Sequence, residues 1–185
     1  MEYVLYVLLG IGLAAACGFR VFLPFLAISI AALTGQLNLA PDFTWLGSWP
    51  ALIVFGVATV FEIVAYYVPW LDHVLDIGAT PAAVIAGIIV TASVVTGMNP
   101  VLRWTLAAIA GGGVAAAVQL ATVALRRAST YATAGLAQPL AATVETGGSV
   151  GMSVMSLLVP AVAGVLALLL IVIAARWLLR RRARA

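Results

Sequence analysis

Apolar residues run in long blocks along this chain, and the polar positions between them mark out membrane-length segments. The first block runs from about Tyr3 to Leu33. That is longer than a single crossing needs, so it is predicted to tilt, kink or re-enter. Gly10, Gly12, Gly18 and Pro24 are its predicted weak points. Thr34 to Trp49 is a polar and aromatic connection, and Trp45 and Trp49 suit a membrane–water interface. Pro50 opens a second block to about Val68, as a proline suits a first helical turn. Tyr66, Tyr67, Pro69 and Trp70 close it as a second interfacial belt. Leu71 to Ile77 reads as a short amphipathic turn, and Thr80-Pro81 starts a third block to about Val95. Gly97-Met98-Asn99-Pro100 is a tight turn.

A fourth block extends from about Val101 to Leu125. Its centre, Gly111-Gly112-Gly113-Val-Ala-Ala-Ala, has almost no side chains. Small residues let helices approach closely in lipid; the other reading is a pore or cavity wall. Ala128 to Gly148 is the least helical stretch, either a long loop or a segment that re-enters inside the protein. The last block is long, contains Pro160 and ends in a basic tail. The predicted membrane elements are therefore about 3–33, 50–68, 80–95, 101–125, 137–155 (re-entrant or spanning) and 157–179, with a basic tail at 180–185.

Composition agrees with this pattern. The chain has 185 residues, 65% hydrophobic and 8% charged, with a mean hydropathy of +1.20. Soluble domains carry about 25% charged residues, so this chain is expected to be one integral membrane domain. The uninterrupted Val, Ile, Leu and Ala runs predict an all-α polytopic helix bundle of five to six elements, some broken. A barrel would alternate with period two.

The net charge is +3, all of the basic side chains being arginine. Arg176, Arg180, Arg181, Arg182 and Arg184 crowd the C-terminal end, next to an apolar block and without interleaved aromatics. This predicts a cytoplasmic flank rather than a nucleic-acid patch. A crossing or re-entry at 137–155 also puts Arg126-Arg127 on the cytoplasmic side, with both termini inside. The single cysteine, Cys17, excludes an intrachain disulfide and a cysteine-based metal cluster. Ala14-Ala15-Ala16-Cys17 resembles a lipoprotein cleavage box, but Glu2 and the lack of an early Lys or Arg argue against a signal peptide.

Candidate chemistry lies in the few polar residues inside apolar context. Glu62 sits in mid-run, where an ionised group costs roughly 2.5–3.5 kcal/mol on insertion scales. Phe55, Thr59, Glu62 and Tyr66 share one helix face. Arg20 snorkels or marks a helix end, or is a buried cation paired with an acid, Glu62 being one candidate partner. Gln119, Thr122 and Arg126 form one polar stripe, and Glu145 lies in the Ala128–Gly148 stretch beside an unwound Gly147-Gly148. The predicted substrate- or ion-binding set is Arg20, Glu62, Gln119 and Glu145. Asp72, His73 and Asp76 are a weak metal candidate, since His73 stands about 100° from Asp72 on a helix; the bland reading is a solvated turn. No cofactor is expected. Trp49 to Ala83 and Trp104 to Ala141 are weakly similar in spacing, which suggests an internal two-helix repeat with Glu62 and Gln119 in equivalent places.

Residues 10–24 (GIGLAAACGFRVFLP), Trp45-Leu-Gly-Ser-Trp49-Pro50, Ala79 to Gly87, and Gln138-Pro139 through Glu145 resemble a bacterial membrane family catalogued as domain of unknown function 4126. The resemblance covers nearly the whole chain. It implies a small multi-pass protein of the bacterial inner membrane and carries no activity. The expected function is a small transporter or channel for an ion or small polar solute. In that reading Glu62 and Glu145 handle a proton or cation, while Arg20 holds one of them charged or binds an anion. The alternative is a non-catalytic scaffold with structural charges, in which small-residue helices favour homo-oligomers. An enzyme is disfavoured, because no Ser-His, Cys-His or HExxH arrangement is present.

Overall fold

The computed structural model describes residues 2–65, 69–133 and 138–182, with side chains outside the described set at 69–77, 130–138, 174–175 and 177–182. Among the described residues every regular element is helical. Helix α1 (Glu2–Phe19) is followed by α2 (Phe22–Leu33), a 3-10 segment Pro41–Gly47, α3 (Trp49–Ala65) and α4 (Pro69–Val94). A single rod then comprises α5 (Pro100–Leu106), a π-helical stretch Ala107–Gly112 and α6 (Gly113–Thr133). Helices α7 (Gln138–Leu158) and α8 (Pro160–Arg182) complete the chain.

Among the described residues two helices are long and apolar enough to cross a membrane, Glu2–Phe19 and Pro100–Ser129. A third is reached if Pro41–Gly47 and Trp49–Ala65, bent by 67°, form one span. Phe22–Leu33, Gly78–Val94 and Pro160–Ile173 are shorter apolar helices.

Helix α1 is the central post. Every residue from Leu9 to Gly18 is buried, and α4, α6, α7 and α8 all pack on it. An apolar run with no polar face suits a helix surrounded by other helices. Its glycines are contact points. A Cβ at Gly10 would stand 2.8 Å from Thr91 Cγ2, one at Gly12 2.9 Å from Ala163 Cβ, and one at Gly18 2.8 Å from the carbonyl oxygen of Ala115. This is why the long first block does not bend at these glycines. It breaks instead at Arg20–Val21, and Pro24 falls in the first turn of α2, where a missing N–H is tolerated.

Helix α2 turns back toward the end at which α1 begins. The Ala40 N–H donates to the Ser93 carbonyl at 2.8 Å, and Thr91 Oγ1 donates to the Gly10 carbonyl at 3.2 Å. At that end Asp42 pairs with Arg103, Phe43 stands 5.9 Å from Trp104, and Trp45 stands 6.2 Å from Phe55. Trp45, Trp49 and Trp104 are all exposed there.

The glycine-rich centre of the fourth block is a close crossing. A Cβ at Gly87 would fall 2.6 Å from Ala115 Cβ and 2.7 Å from the Gly111 carbonyl oxygen, and one at Gly112 2.9 Å from Ile88 Cγ1. Gly113 faces open space. Two expectations need correction. Leu71–Ile77 is a helical part of α4, continuous through Pro81, rather than a separate turn. Ala128–Gly148 is helical up to Thr133 and again from Gln138, and Gly147-Gly148 is not unwound but lies inside α7. In the suggested repeat, Pro81 lies inside α4 whereas Pro139 sits in the first turn of α7.

Candidate functional site

The break between α1 and α2 leaves the first backbone N–H groups of α2 without helical partners, as at any helix start. Glu62 supplies the acceptors from α3. The Val21 N–H donates to Glu62 Oε1 at 2.7 Å, and the Phe22 N–H donates to Oε2 at 3.0 Å. A carboxylate there also meets the positive end of the α2 dipole. Thr59, Glu62 and Ala65 form the buried side of α3, and Phe55 stacks on Phe25 with ring centroids 4.9 Å apart. Phe55, Thr59 and Glu62 of the face read from the sequence therefore lie on the side that docks α3 on α2, and Tyr66 lies outside the described residues.

Arg20 closes the other side of the break. Its backbone N–H completes α1 by donating to the Ala16 carbonyl at 3.0 Å. Its side chain, 1% exposed, reaches α7. There Nε donates to Thr146 Oγ1 at 3.2 Å and Nη2 to the Ala142 carbonyl at 3.0 Å, with Glu145 Oε2 3.9 Å away. Both sequence readings of Arg20 hold together: it ends a helix and is a buried cation. Among the described residues the carboxylate within ion-pair range of Arg20 is that of Glu145, 3.9 Å away, whereas Glu62 accepts from the start of α2.

Glu145 has a second cation, one that the sequence reading left outside the site. Arg126 Nε donates to Glu145 Oε1 at 3.2 Å, and Arg126 Nη2 pairs with Oε2. Both residues are buried. Such two-point guanidinium–carboxylate pairs are charge-assisted and directional. The clue was present: Arg126 ends the stripe of Gln119 and Thr122, and all three are buried on α6. Thr122 Oγ1 donates to the Gln119 carbonyl at 2.8 Å. Among the described residues no hydrogen bond joins the Gln119 side chain to Arg20, Glu62 or Glu145. Three of the four predicted residues thus converge, Gln119 lies two turns away, and Arg126 completes the group.

An apolar hollow of about 250 Å³ lies between α6, α8 and the end of α1, and none of Arg20, Glu62, Arg126 and Glu145 lines it. Phe19, Thr122 and Leu125 are among its lining residues. They neighbour Arg20 and Arg126 in sequence. The side chains of Asp72, His73 and Asp76 lie outside the described residues; among those described, no group of three or more His, Cys, Asp or Glu gathers to hold a metal. Cys17 is free and buried in α1.

A family model described as a domain of unknown function, DUF4126, matches residues 7–181. No curated protein and no solved structure matches the chain.

Proposed function

The chain belongs to the DUF4126 family, and we propose that it is a small multi-pass transporter or channel of the bacterial inner membrane for an ion or small polar solute. The observation that carries this reading is the group Arg20, Arg126, Glu145 and Glu62, buried where a membrane helix is interrupted. Ionisable residues inside a membrane segment mark solute or proton pathways by default. Interrupted helices are where transporters place their binding groups. The depth is suitable. Glu62 lies about 20 Å along α3 from Trp49 at 1.5 Å per residue, so with Trp49 at one boundary the carboxylate stays inside a hydrocarbon core of roughly 30 Å. In this reading five to six helical elements surround the group, α2 is a half-span, and the C-terminal arginines face the cytoplasm.

The test is flux in reconstituted liposomes over a panel of ions and pH values, comparing the native protein with Glu62→Gln and Glu145→Gln. A flux above that of protein-free vesicles, altered in both variants, supports the proposal. Equal flux in all three proteins removes the carboxylates from it.

One observation favours a second reading, a non-catalytic scaffold. Both oxygens of Glu62 hold backbone amides, and both oxygens of Glu145 hold Arg126, as structural charges do. Absence of flux for every solute, with the variants merely less stable, would decide for it.

A further inference from the structure

Helix α6 and helix α8 run the same way along α1. The first rod meets Thr91, which is bonded to Gly10, at Gly111, and reaches Gly18 at Val118. Helix α8 meets Leu8 at Gly164, where a Cβ would stand 2.5 Å from Leu8 Cδ2, and reaches Phe19 at Ile171. Where α1 ends, α6 and α8 enclose the hollow of about 250 Å³. Val118 and Thr122 form its buried floor, whereas Leu125, Leu170 and Ile173 on its rim are exposed. The hollow therefore opens sideways, and in a bilayer the opening meets lipid. The Thr122 hydroxyl is already committed to the Gln119 carbonyl, so the floor offers an apolar group no polar competitor.

The lining ends at a polar level. On α8 the exposed Arg176 stands one turn beyond Ile173, at the i+3 position on the same side. On α6 the residue one turn beyond Leu125 is Ser129. An apolar slot with a cation at one end complements an amphiphile with an anionic head, and basic pockets between membrane helices bind such headgroups. We propose that the hollow seats one acyl chain of an anionic phospholipid, with the lipid phosphate beside Arg176. This rests on the membrane placement proposed above and not on transport of a solute. A helix of a second copy, about 10–12 Å across with its side chains, would bridge the rim and leave the floor uncovered, whereas a single acyl chain enters. Arg180, Arg181, Arg182 and Arg184 follow in the sequence. Such a run attracts anionic headgroups as a diffuse layer, and the hollow is what would hold one lipid in place.

The experiment is native mass spectrometry of the delipidated full chain in detergent, with dioleoyl phosphatidylglycerol or dioleoyl phosphatidylcholine added separately. The first equivalent of phosphatidylglycerol is expected to bind about fivefold more tightly than phosphatidylcholine, the order expected for one arginine near a membrane surface. Arg176→Gln is expected to bring the two lipids level. Ala121 lines the hollow, and Ala121→Phe is expected to fill it and to weaken phosphatidylglycerol binding several-fold with every C-terminal arginine still in place. Equal binding of the two lipids to the native protein overturns the proposal, and so does a preference that survives Arg176→Gln. Undiminished binding to Ala121→Phe puts the lipid on the basic tail and overturns it as well. Protein dimers that Ala121→Phe disperses, with no lipid on the native chain, put a second copy in the hollow instead. If Ala121→Phe does not purify as a folded protein, Ile173→Trp at the exposed rim covers the opening; it is expected to weaken binding in the same way, and undiminished binding there overturns the proposal. Selective lipid binding without solute flux leaves this inference standing and removes the transporter reading, and flux without selective lipid binding does the reverse.

Discussion

Glu62 accepts the backbone N–H of Val21 at 2.7 Å across the gap between two helices that are separate in sequence. With the Phe22 N–H on its second oxygen, the carboxylate acts as the N-cap of α2, supplied in trans by α3. Caps of this kind contribute about 0.5–2 kcal/mol. Glu62→Gln keeps one carbonyl acceptor and loses the charge, so it is expected to lower stability by about 1 kcal/mol. For a chain of this length that is a fall of about 2–4 °C in Tm. Glu62→Ala removes both acceptors and is expected to fall further. Thermal unfolding of the two variants in one detergent checks the order, and equal midpoints for the native protein and Glu62→Ala would remove the capping role.

The Arg20, Arg126 and Glu145 group predicts an asymmetry between its members. Removing Glu145 leaves two buried arginines without their shared carboxylate, whereas removing Arg126 leaves Glu145 with Arg20 still 3.9 Å away. Breaking a buried pair costs about 3–5 kcal/mol. Glu145→Gln is therefore expected to destabilise more than Arg126→Gln. The double variant is expected to be more stable than the sum of the two predicts, by about 1–3 kcal/mol. Denaturation of the three variants measures this coupling, and strict additivity would show that the pair does not act as a unit.

The crossing of α4 on the Gly111 stretch separates glycines by what surrounds them. A methyl at Gly87 meets the Gly111 carbonyl oxygen at 2.7 Å, a backbone atom that cannot swing aside, whereas a methyl at Gly113 meets nothing within 4 Å. Gly87→Ala is expected to destabilise by about 1–3 kcal/mol through overpacking. Gly113→Ala is expected to be neutral or to stabilise by up to about 1 kcal/mol through helix propensity. Comparing the two midpoints tests whether close packing, rather than glycine content, sets the role of this segment.

Much of this arrangement was legible in the residues. The apolar blocks gave the helical class, the face through Thr59 and Glu62 gave the side of α3 that is buried, and apolar surroundings marked Arg20 and Glu145 as unusual. The partners were not legible. Periodicity reports which side of a helix is buried, but not which neighbour covers it. Glu62 therefore read as a candidate mate for Arg20, although the break after Phe19 gives it two amides instead. Arg126 read as the end of a polar stripe because nothing local reveals that α7 brings Glu145 beside it. Leu71–Ile77 and Ala128–Gly148 read as irregular because their polar residues break the apolar pattern. Helix formation needs neither an apolar face nor the absence of Pro81 when neighbouring helices hold the backbone.

The two ends of the bundle predict opposite accessibilities. Trp45, Trp49 and Trp104 cluster with Asp42 and Arg103 at the end where α1 begins, and Gly35 lies in the turn that follows α2 with φ +72°. The exposed Arg176 belongs to α8, which follows α7 with a break at Val159. Helix α7 starts near Arg20 and leads away from it, since Ser149 Oγ donates to the Ala16 carbonyl at 3.0 Å and a Cβ at Gly12 would stand 2.9 Å from Ala163 Cβ. Helix α8 therefore returns toward the end that holds the arginine group, where Leu170 and Ile171 line one hollow with Phe19. A basic flank is retained on the cytoplasmic side. In a Cys17→Ser background, a cysteine placed at Gln36 in the same turn is expected to react with a membrane-impermeant maleimide on intact bacterial cells whose outer membrane has been made permeable. One placed at Arg176 is expected to react only after the inner membrane is opened. Labelling of both from the same side would mean that the chain crosses the bilayer in a different order, and would overturn the proposed cytoplasmic placement of the C-terminal flank.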